Sequence, residues 1–355
     1  MKKICVIGAG NSGFAMAAHL SSEGYSVCLW NRTYENIKTL VSDKKIACSG
    51  YINGEFILDL VTDNLKSALD YSDLILITTP ANSHKDLARK FADKLSADKT
   101  IILNPGRTFG ALEFQNELTK HGFRDNIELA ETQTIIYTCR KESDTSVNII
   151  TMKKNVLISA LKQGNEQKIL NGLPDCLSKF LKPSPSMILT SLGNVGMILH
   201  CAPVLLNTGW IENPFLNFYY YSQGISPSIA KFLENLDKER IEVSKKLGYE
   251  VESTKEWINR SYEIDGKDLY DALTHNPSYK TIEAPVSLNH RYIFEDVSCG
   301  LVPLESVGKQ LGLEMRFTSL IIDLATAIIN YDFRKNGRNL ENMDILSLFQ
   351  GNTGE

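Results

Sequence analysis

Residues 3–20, KICVIGAGNSGFAMAAHL, decide the fold. Lys3–Ile7 is a short run rich in β-branched residues, the glycines at 8, 10 and 13 follow at once, and residues 14–20 continue at helical period until Gly24 closes the turn. The reading is strand, glycine turn, helix. In a dinucleotide-binding turn each glycine has a task. Gly8 permits the tight reversal, Gly10 lets a pyrophosphate approach the backbone, and Gly13 lets the helix lie close to the strand. Asn11 and Ser12 open the helix, whose N-terminal N–H groups favour an anion. The same glycine pattern also occurs as a purely structural turn, so context carries the weight: this one follows a strand, opens a helix, and precedes a second strand, Ser26–Trp30, where a dinucleotide fold requires it.

The end of that second strand bears on the cofactor. An Asp or Glu there would bind ribose hydroxyls, but the residues are Asn31, Arg32 and Thr33. No carboxylate repels a 2′-phosphate, and Arg32 can pair with one, so NADP is expected in preference to NAD. Stacking of Arg32 on adenine, or its exposure to solvent, remains the alternative. Apolar runs at 73–79 and 100–103 continue a buried parallel sheet, with a helix over 83–95 between them. Pro80 and Asn104-Pro105-Gly106 break the chain at the carboxyl ends of these strands, where such sheets place ligands. Pro80 is therefore a candidate cofactor contact. Arg107 stands at the same edge, able to meet a phosphate or a substrate carboxylate, or simply solvent.

A helix over 113–122 and a strand over 127–130 lead into the polar segment 131–140, where Thr132 and Thr134 are candidate contacts to substrate. Residues 147–152 and 156–161 alternate around Lys153-Lys154-Asn155 and are expected to pair as a hairpin added to the sheet. Two prolines in Pro183-Ser184-Pro185 resist both helix and central strand, so a Rossmann-type NAD(P)-binding domain is expected over 1–182 and a mostly α-helical substrate and catalytic domain over 187–355. The fold class is α/β followed by helical.

The helical half begins with residues 192–207, LGNVGMILHCAPVLLN, an apolar stretch carrying His200 with Asn194 and Asn207. Helical spacing sets Gly193, Gly196, His200 and Asn207 on one side, leaving room for a flat ring beside the imidazole. A core histidine bonded to a backbone carbonyl is the competing reading. Pro203 should bend this helix and residues 207–209 should end it. Further helices are expected over 227–247, 253–262, 268–273, 304–311 and 317–331, with aromatic residues at 215–221 forming core or interface and a fraying polar tail after Asn339. The segment 290–303, HRYIFEDVSCGLVP, concentrates charge. Arg291 suits bidentate capture of a carboxylate, and Asp296 can hold a histidine in one tautomer; a salt bridge and a helix N-cap are their structural alternatives.

Composition excludes several classes. With 355 residues, two domains are expected. A net charge of -4 without a basic stripe gives no footprint for nucleic acid or an anionic membrane, and no further run of about 20 apolar residues is expected to span one. The seven cysteines are dispersed, none in a CxxC pair, which fits a reducing cytoplasm, and neither they nor the histidines show metal-ligand spacing.

Taken together, GAGNSG at 8–13, NPGRTFGALEF at 104–114, ETQTIIYTCR at 131–140, the 194–200 stretch, HNPSY at 275–279 and HRYIFEDVSCGLVP at 290–303 resemble the octopine/nopaline (opine) dehydrogenase family over nearly the whole chain. The resemblance implies reductive joining of an amino acid's amine to a 2-oxo acid, commonly pyruvate, through an imine reduced by NAD(P)H. It makes His200 the acid-base group, Asp296 its partner and Arg291 the holder of a carboxylate. Asn194 and His275 become candidate substrate contacts, small molecules the only partners, and a homodimer a possible assembly. Asn31-Arg32 departs from members with an acid there. The chemistry suits the residues independently, since an imidazole with an ordinary pKa of about 6.5 exchanges protons near neutrality. Two alternatives stand beside this one. A simple 2-oxo acid reductase resembling ketopantoate reductase would place a lysine on the interdomain helix, but no lysine occurs between Lys182 and Lys231. An NADPH-binding sensor would have no need of His200, Arg291 and Asp296 together.

Overall fold

The structure is a computed structural model that describes residues 2–350. The chain divides into two compact units, Met1–Ser191 and Leu192–Glu355.

In the first unit the strands β1 (Lys3–Ile7), β2 (Ser26–Trp30), β3 (Lys45–Gly50), β4 (Gly54–Ile57), β5 (Leu60–Thr62), β6 (Leu74–Ile77), β7 (Lys99–Leu103), β8 (Ile127–Thr132), β9 (Tyr137–Lys141), β10 (Ser146–Met152), β11 (Val156–Ala160) and β12 (Leu181–Pro183) form two sheets. The larger has the order β12-β11-β8-β7-β6-β1-β2-β5, the smaller β4-β3-β10-β9. β1 pairs in parallel with β2 on one side and β6 on the other, so the strand order reverses at β1. The carboxyl end of that strand is where a doubly wound sheet opens a ligand crevice.

Helix α1 (Asn11–Ser22) follows β1, and its residues from Gly13 to Leu20 are all buried. Two partners explain this: one flank lies on the large sheet and the other packs on β9 and β10 of the small one. A helix covered on all sides carries no polar face, which is why the sequence there is FAMAAHL. The one polar side chain in that buried stretch, His19, is bonded through Nδ1 to the Tyr137 hydroxyl at 3.1 Å. Helices α2 (His84–Phe91) and α3 (Gly110–Lys120) cross between later strands.

The structure corrects several expectations. β10 and β11 are not a hairpin. β10 pairs antiparallel with β9 in the small sheet, whereas β11 pairs antiparallel with β8 in the large one, and Lys153-Lys154-Asn155 carries the chain from one sheet to the other. By compactness the two units divide after Ser191, a few residues beyond Pro183-Ser184-Pro185. Pro183 ends an edge strand, parallel to β11, where a missing N–H is tolerated. The helix Met187–Leu192 is fastened to the first unit by Glu131, a fully buried carboxylate at the end of β8 that accepts hydrogen bonds from the Thr190 and Ser191 hydroxyls at 2.9 and 2.7 Å and from the Ala111 N–H at 2.9 Å.

In the second unit the 192–207 stretch is not one helix. It holds α4 (Gly196–Leu199) and α5 (Cys201–Leu206), with the break at His200 itself, and Thr208–Ile211 begins a further helical turn where an end was expected. Pro203 lies inside α5, near its start, where its missing N–H does little harm, so the bend precedes it. Contrary to expectation, residues Met187–Leu206 do reach the length and apolarity of a membrane span, but 83% of that window is buried within the protein. Around it stand α6 (Pro227–Lys246), α7 (Thr254–Tyr262), α8 (Leu269–Thr274), α9 (Arg291–Phe294), α10 (Val302–Gln310) and α11 (Arg316–Ile329). Their ends follow capping chemistry: Ser226 accepts from Ile229 N–H before Pro227, and Ser253 and Glu256 form a reciprocal capping box. Beyond Asn339 the chain makes one more helix, Ile345–Gln350, anchored by the buried Ile345; the remainder of the expected tail lies outside the described residues.

Candidate active site

At the carboxyl end of β1 the backbone conforms to the requirements read from the glycines. Gly8 has φ +110°, and its N–H donates to the Trp30 carbonyl at 2.8 Å. The Thr78 hydroxyl, at the end of β6, donates to the Ile7 and Gly8 carbonyls at 3.1 and 3.2 Å and braces the turn. A Cβ on Gly13 would stand 1.7 Å from the Gly8 carbonyl oxygen, whereas a Cβ on Gly10 would meet nothing within 4 Å. The fold demands glycine at 13 but leaves open space at 10, as expected where a phosphate approaches the backbone. Gly10 is also the N-cap of α1 and brings no side chain to its first-turn amides. Half-buried Ser12 lies in that turn, while Asn11 accepts from the Lys141 N–H at 2.9 Å and ties the helix start to β9.

Beyond β2 a cavity of about 430 Å³ is lined by Asn31, Arg32, Thr33, Pro80, Asp86 and Lys90, among others. Asn31 spans the crevice, accepting from the Ala9 N–H at 3.2 Å and donating to the Thr33 carbonyl at 3.0 Å. Arg32 is 67% exposed and lies 3.8 Å from Asp86, which also accepts a 2.7 Å hydrogen bond from Lys90. These residues fit a dinucleotide: open amides for a pyrophosphate, and a mixed polar pocket for a ribose and its substituents.

Along the same edge Thr132 is buried and directs its hydroxyl to the Leu103 carbonyl at 3.4 Å. Thr134 accepts from Lys153 Nζ at 3.3 Å. Arg107, half-buried at φ +60°, is near enough that burial first and its charge second hold the Lys153 ammonium below its usual range. Lys153 is a cation that sequence reading left aside.

In the second unit, His200 occupies the bend between α4 and α5 with φ -105° and ψ -64°. Its Nδ1 lies 2.8 Å from Asp296 Oδ2. Asp296 is 1% exposed, and the His200 side chain 19%. Asp296 immediately precedes a π-helix over Val297–Leu301. Gly300 in that turn packs so closely on α4 that a Cβ there would come 2.6 Å from Met197 Cβ. Asp296 stands at the N-cap position of that turn without a side-chain cap hydrogen bond. Asn194 accepts from the Gly196 N–H at 3.1 Å and starts α4.

Two aromatic residues complete the surroundings. The Tyr292 ring stacks on the imidazole with centroids 4.1 Å apart and planes at 10°. The Tyr220 hydroxyl donates to the His200 carbonyl. Neither was singled out from the sequence, although Tyr292 stands four residues before Asp296 and so shares its helical face. Arg291 is 61% exposed and pairs with the buried Glu295 at 3.0 Å. His275 is 73% exposed and pairs with Asp271 at 2.8 Å.

Comparison with known proteins places these two sites in context. The chain is 35% identical to the opine dehydrogenase of Arthrobacter sp. (strain 1C), over 98% of this chain and 96% of that one. It belongs to the opine dehydrogenase family. Family models agree on both halves: NAD/NADP octopine/nopaline dehydrogenase, alpha-helical domain, matches residues 183–329, and NAD-dependent glycerol-3-phosphate dehydrogenase N-terminus matches residues 3–120. Octopine dehydrogenase in complex with NADH and agmatine has the same fold, with TM-score 0.82 at 17% identity over 100% of this chain and 99% of that one. Yersinopine dehydrogenase bound to NADP+ gives TM-score 0.74 at 14% identity over 98% and 95%. An opine dehydrogenase is an NAD(P)-dependent oxidoreductase, and membership decides against both the simple 2-oxo acid reductase and the non-catalytic sensor.

Proposed function

We propose that this opine dehydrogenase joins the amino group of an amino acid to a 2-oxo acid, with pyruvate the expected oxo acid and NADPH the preferred reductant. The observation that carries the site assignment is the His200–Asp296 pair, bonded at 2.8 Å with the carboxylate buried and the imidazole partly open. Asp296 accepts a hydrogen bond from Nδ1–H, which leaves Nε2 as the nitrogen that exchanges protons. Joining the substrates requires proton removal from the attacking amine and proton delivery to the departing water, and His200 does both in turn. The resulting imine accepts hydride, which NAD(P)H supplies when bound.

Arg291 holds the oxo acid's carboxylate. Its pairing with Glu295 uses one edge of a planar guanidinium that carries five donors, so the other edge serves the ligand. Orientation of the carbonyl by this fork turns a multi-component encounter into a directed one. Arg107, Thr132, Thr134, Asn194 and His275 are assigned to the substrates with less specific support; His275 would have to leave Asp271 to contribute.

Gly8, Gly10, Asn11, Ser12 and Gly13 hold the dinucleotide's phosphates, and Asn31, Arg32, Thr33 and Pro80 its adenosine end. The charge in that pocket supports NADPH. Arg32 and Lys90 are two cations against the single carboxylate of Asp86, and the 2.7 Å bond from Lys90 partly neutralises that carboxylate. The function is tested by following NADPH oxidation with pyruvate alone, with each amino acid alone, and with the two together. Oxidation that needs both partners, with the N-linked product found by mass, is expected; full turnover on pyruvate alone would overturn the proposal.

A further inference from the structure

We infer that Tyr292 is a positioning residue for His200, holding the plane of the imidazole. The inference rests on the acid–base reading of His200 and deepens it. A single hydrogen bond to Asp296 fixes Nδ1 but lets the ring swing about the N···O line. The stack removes that freedom: with centroids 4.1 Å apart and planes at 10°, the Tyr292 face covers one side of the imidazole. Tyr220 fixes the other end, because its buried hydroxyl donates to the His200 carbonyl at the bend between α4 and α5. Nε2 is thereby aimed.

Tyr292 is itself held. His290 Nδ1 accepts from the Tyr292 N–H at 3.3 Å, and the His290 ring meets the Tyr292 ring edge-on with centroids 4.6 Å apart. Tyr220 lies against it from a third direction at 5.6 Å. Such a cage is more than a hydrophobic filler needs.

The test reads the His200 ring resonances by NMR in the unliganded protein, assigned by their disappearance in His200→Asn, beside steady-state kinetics. Tyr292→Phe keeps the stack and should leave resonances and turnover as in the wild type. Tyr292→Leu should return the His200 resonances toward the positions of a free histidine and lower kcat by about tenfold with the KM for NADPH unchanged. Unmoved resonances, or an unmoved kcat, in Tyr292→Leu would overturn the inference. If Tyr292→Leu does not fold, the wild-type spectrum decides: a stacked tyrosine displaces the His200 resonances upfield, and resonances at the positions of a free histidine would overturn the inference. Full turnover in His200→Asn would instead remove the acid–base reading and leave the spectroscopic result intact, so the two failures are distinguishable.

Discussion

His200 Nδ1 and Asp296 Oδ2 stand 2.8 Å apart although 96 positions separate them in the chain. Both residues stand at local irregularities, His200 at the bend between α4 and α5 and Asp296 just before the π-helix. π-Turns recur at functional sites because they redirect a side chain without ending the helix. Asp296→Asn preserves the shape but presents an amide that can donate to Nδ1 and favour the wrong tautomer. Turnover should fall between about 10²- and 10⁴-fold while thermal stability stays close to wild type, measured by steady-state kinetics and by a melting curve.

The glycine turn separates a structural from a ligand requirement. Gly13→Ala pushes a methyl into the Gly8 carbonyl and should impair folding, whereas Gly10→Val projects into open space and should melt like wild type. Its loss should appear only in cofactor binding, as a KM for NADPH raised about tenfold or more. Normal cofactor affinity in Gly10→Val would mean that the phosphates do not approach there.

Arg32 and Lys90 outnumber the single carboxylate that faces them, Asp86. Arg32→Ala should weaken NADPH binding by roughly tenfold and change NADH binding little, as measured by fluorescence titration of each cofactor. Equal losses for the two cofactors would refute contact with a 2′-phosphate.

His19 couples stability to pH. Burial, only partly opposed by Glu23, holds its imidazole down at about 4 against an ordinary 6.5. The unfolded chain therefore binds a proton in this window that the folded chain does not. The stabilisation is complete above pH 6.5 and is lost as pH falls toward 4, by about 3 kcal/mol over the full window. His19→Phe, which keeps a ring against Tyr137 and Phe180, should flatten this part of the curve in urea unfolding at a series of pH values.

Local signals were legible and non-local ones were not. The β1-turn-α1 unit reads directly from the sequence because each glycine answers a backbone requirement within a few residues. The partners of β10 and β11 were misassigned because alternation reveals which faces are buried but not which strand lies alongside, and two sheets compete for them. Residues 34–72 gave no reading at all. β3 and β4 there are short, the first only partly buried and the second largely exposed, so their pattern is weak. In the second unit His200 drew attention as a polar group in an apolar stretch and Asp296 as part of a charge-dense segment. Tyr292 did not, since an aromatic residue in a helical domain reads as core until its ring is seen on the imidazole.

If His200 transfers protons during condensation, His200→Asn, assayed at saturating NADPH, amino acid and oxo acid with cofactor affinity measured separately, should turn over about 100-fold or more slowly with NADPH affinity unchanged. Turnover near that of the wild type would remove His200 from the chemistry.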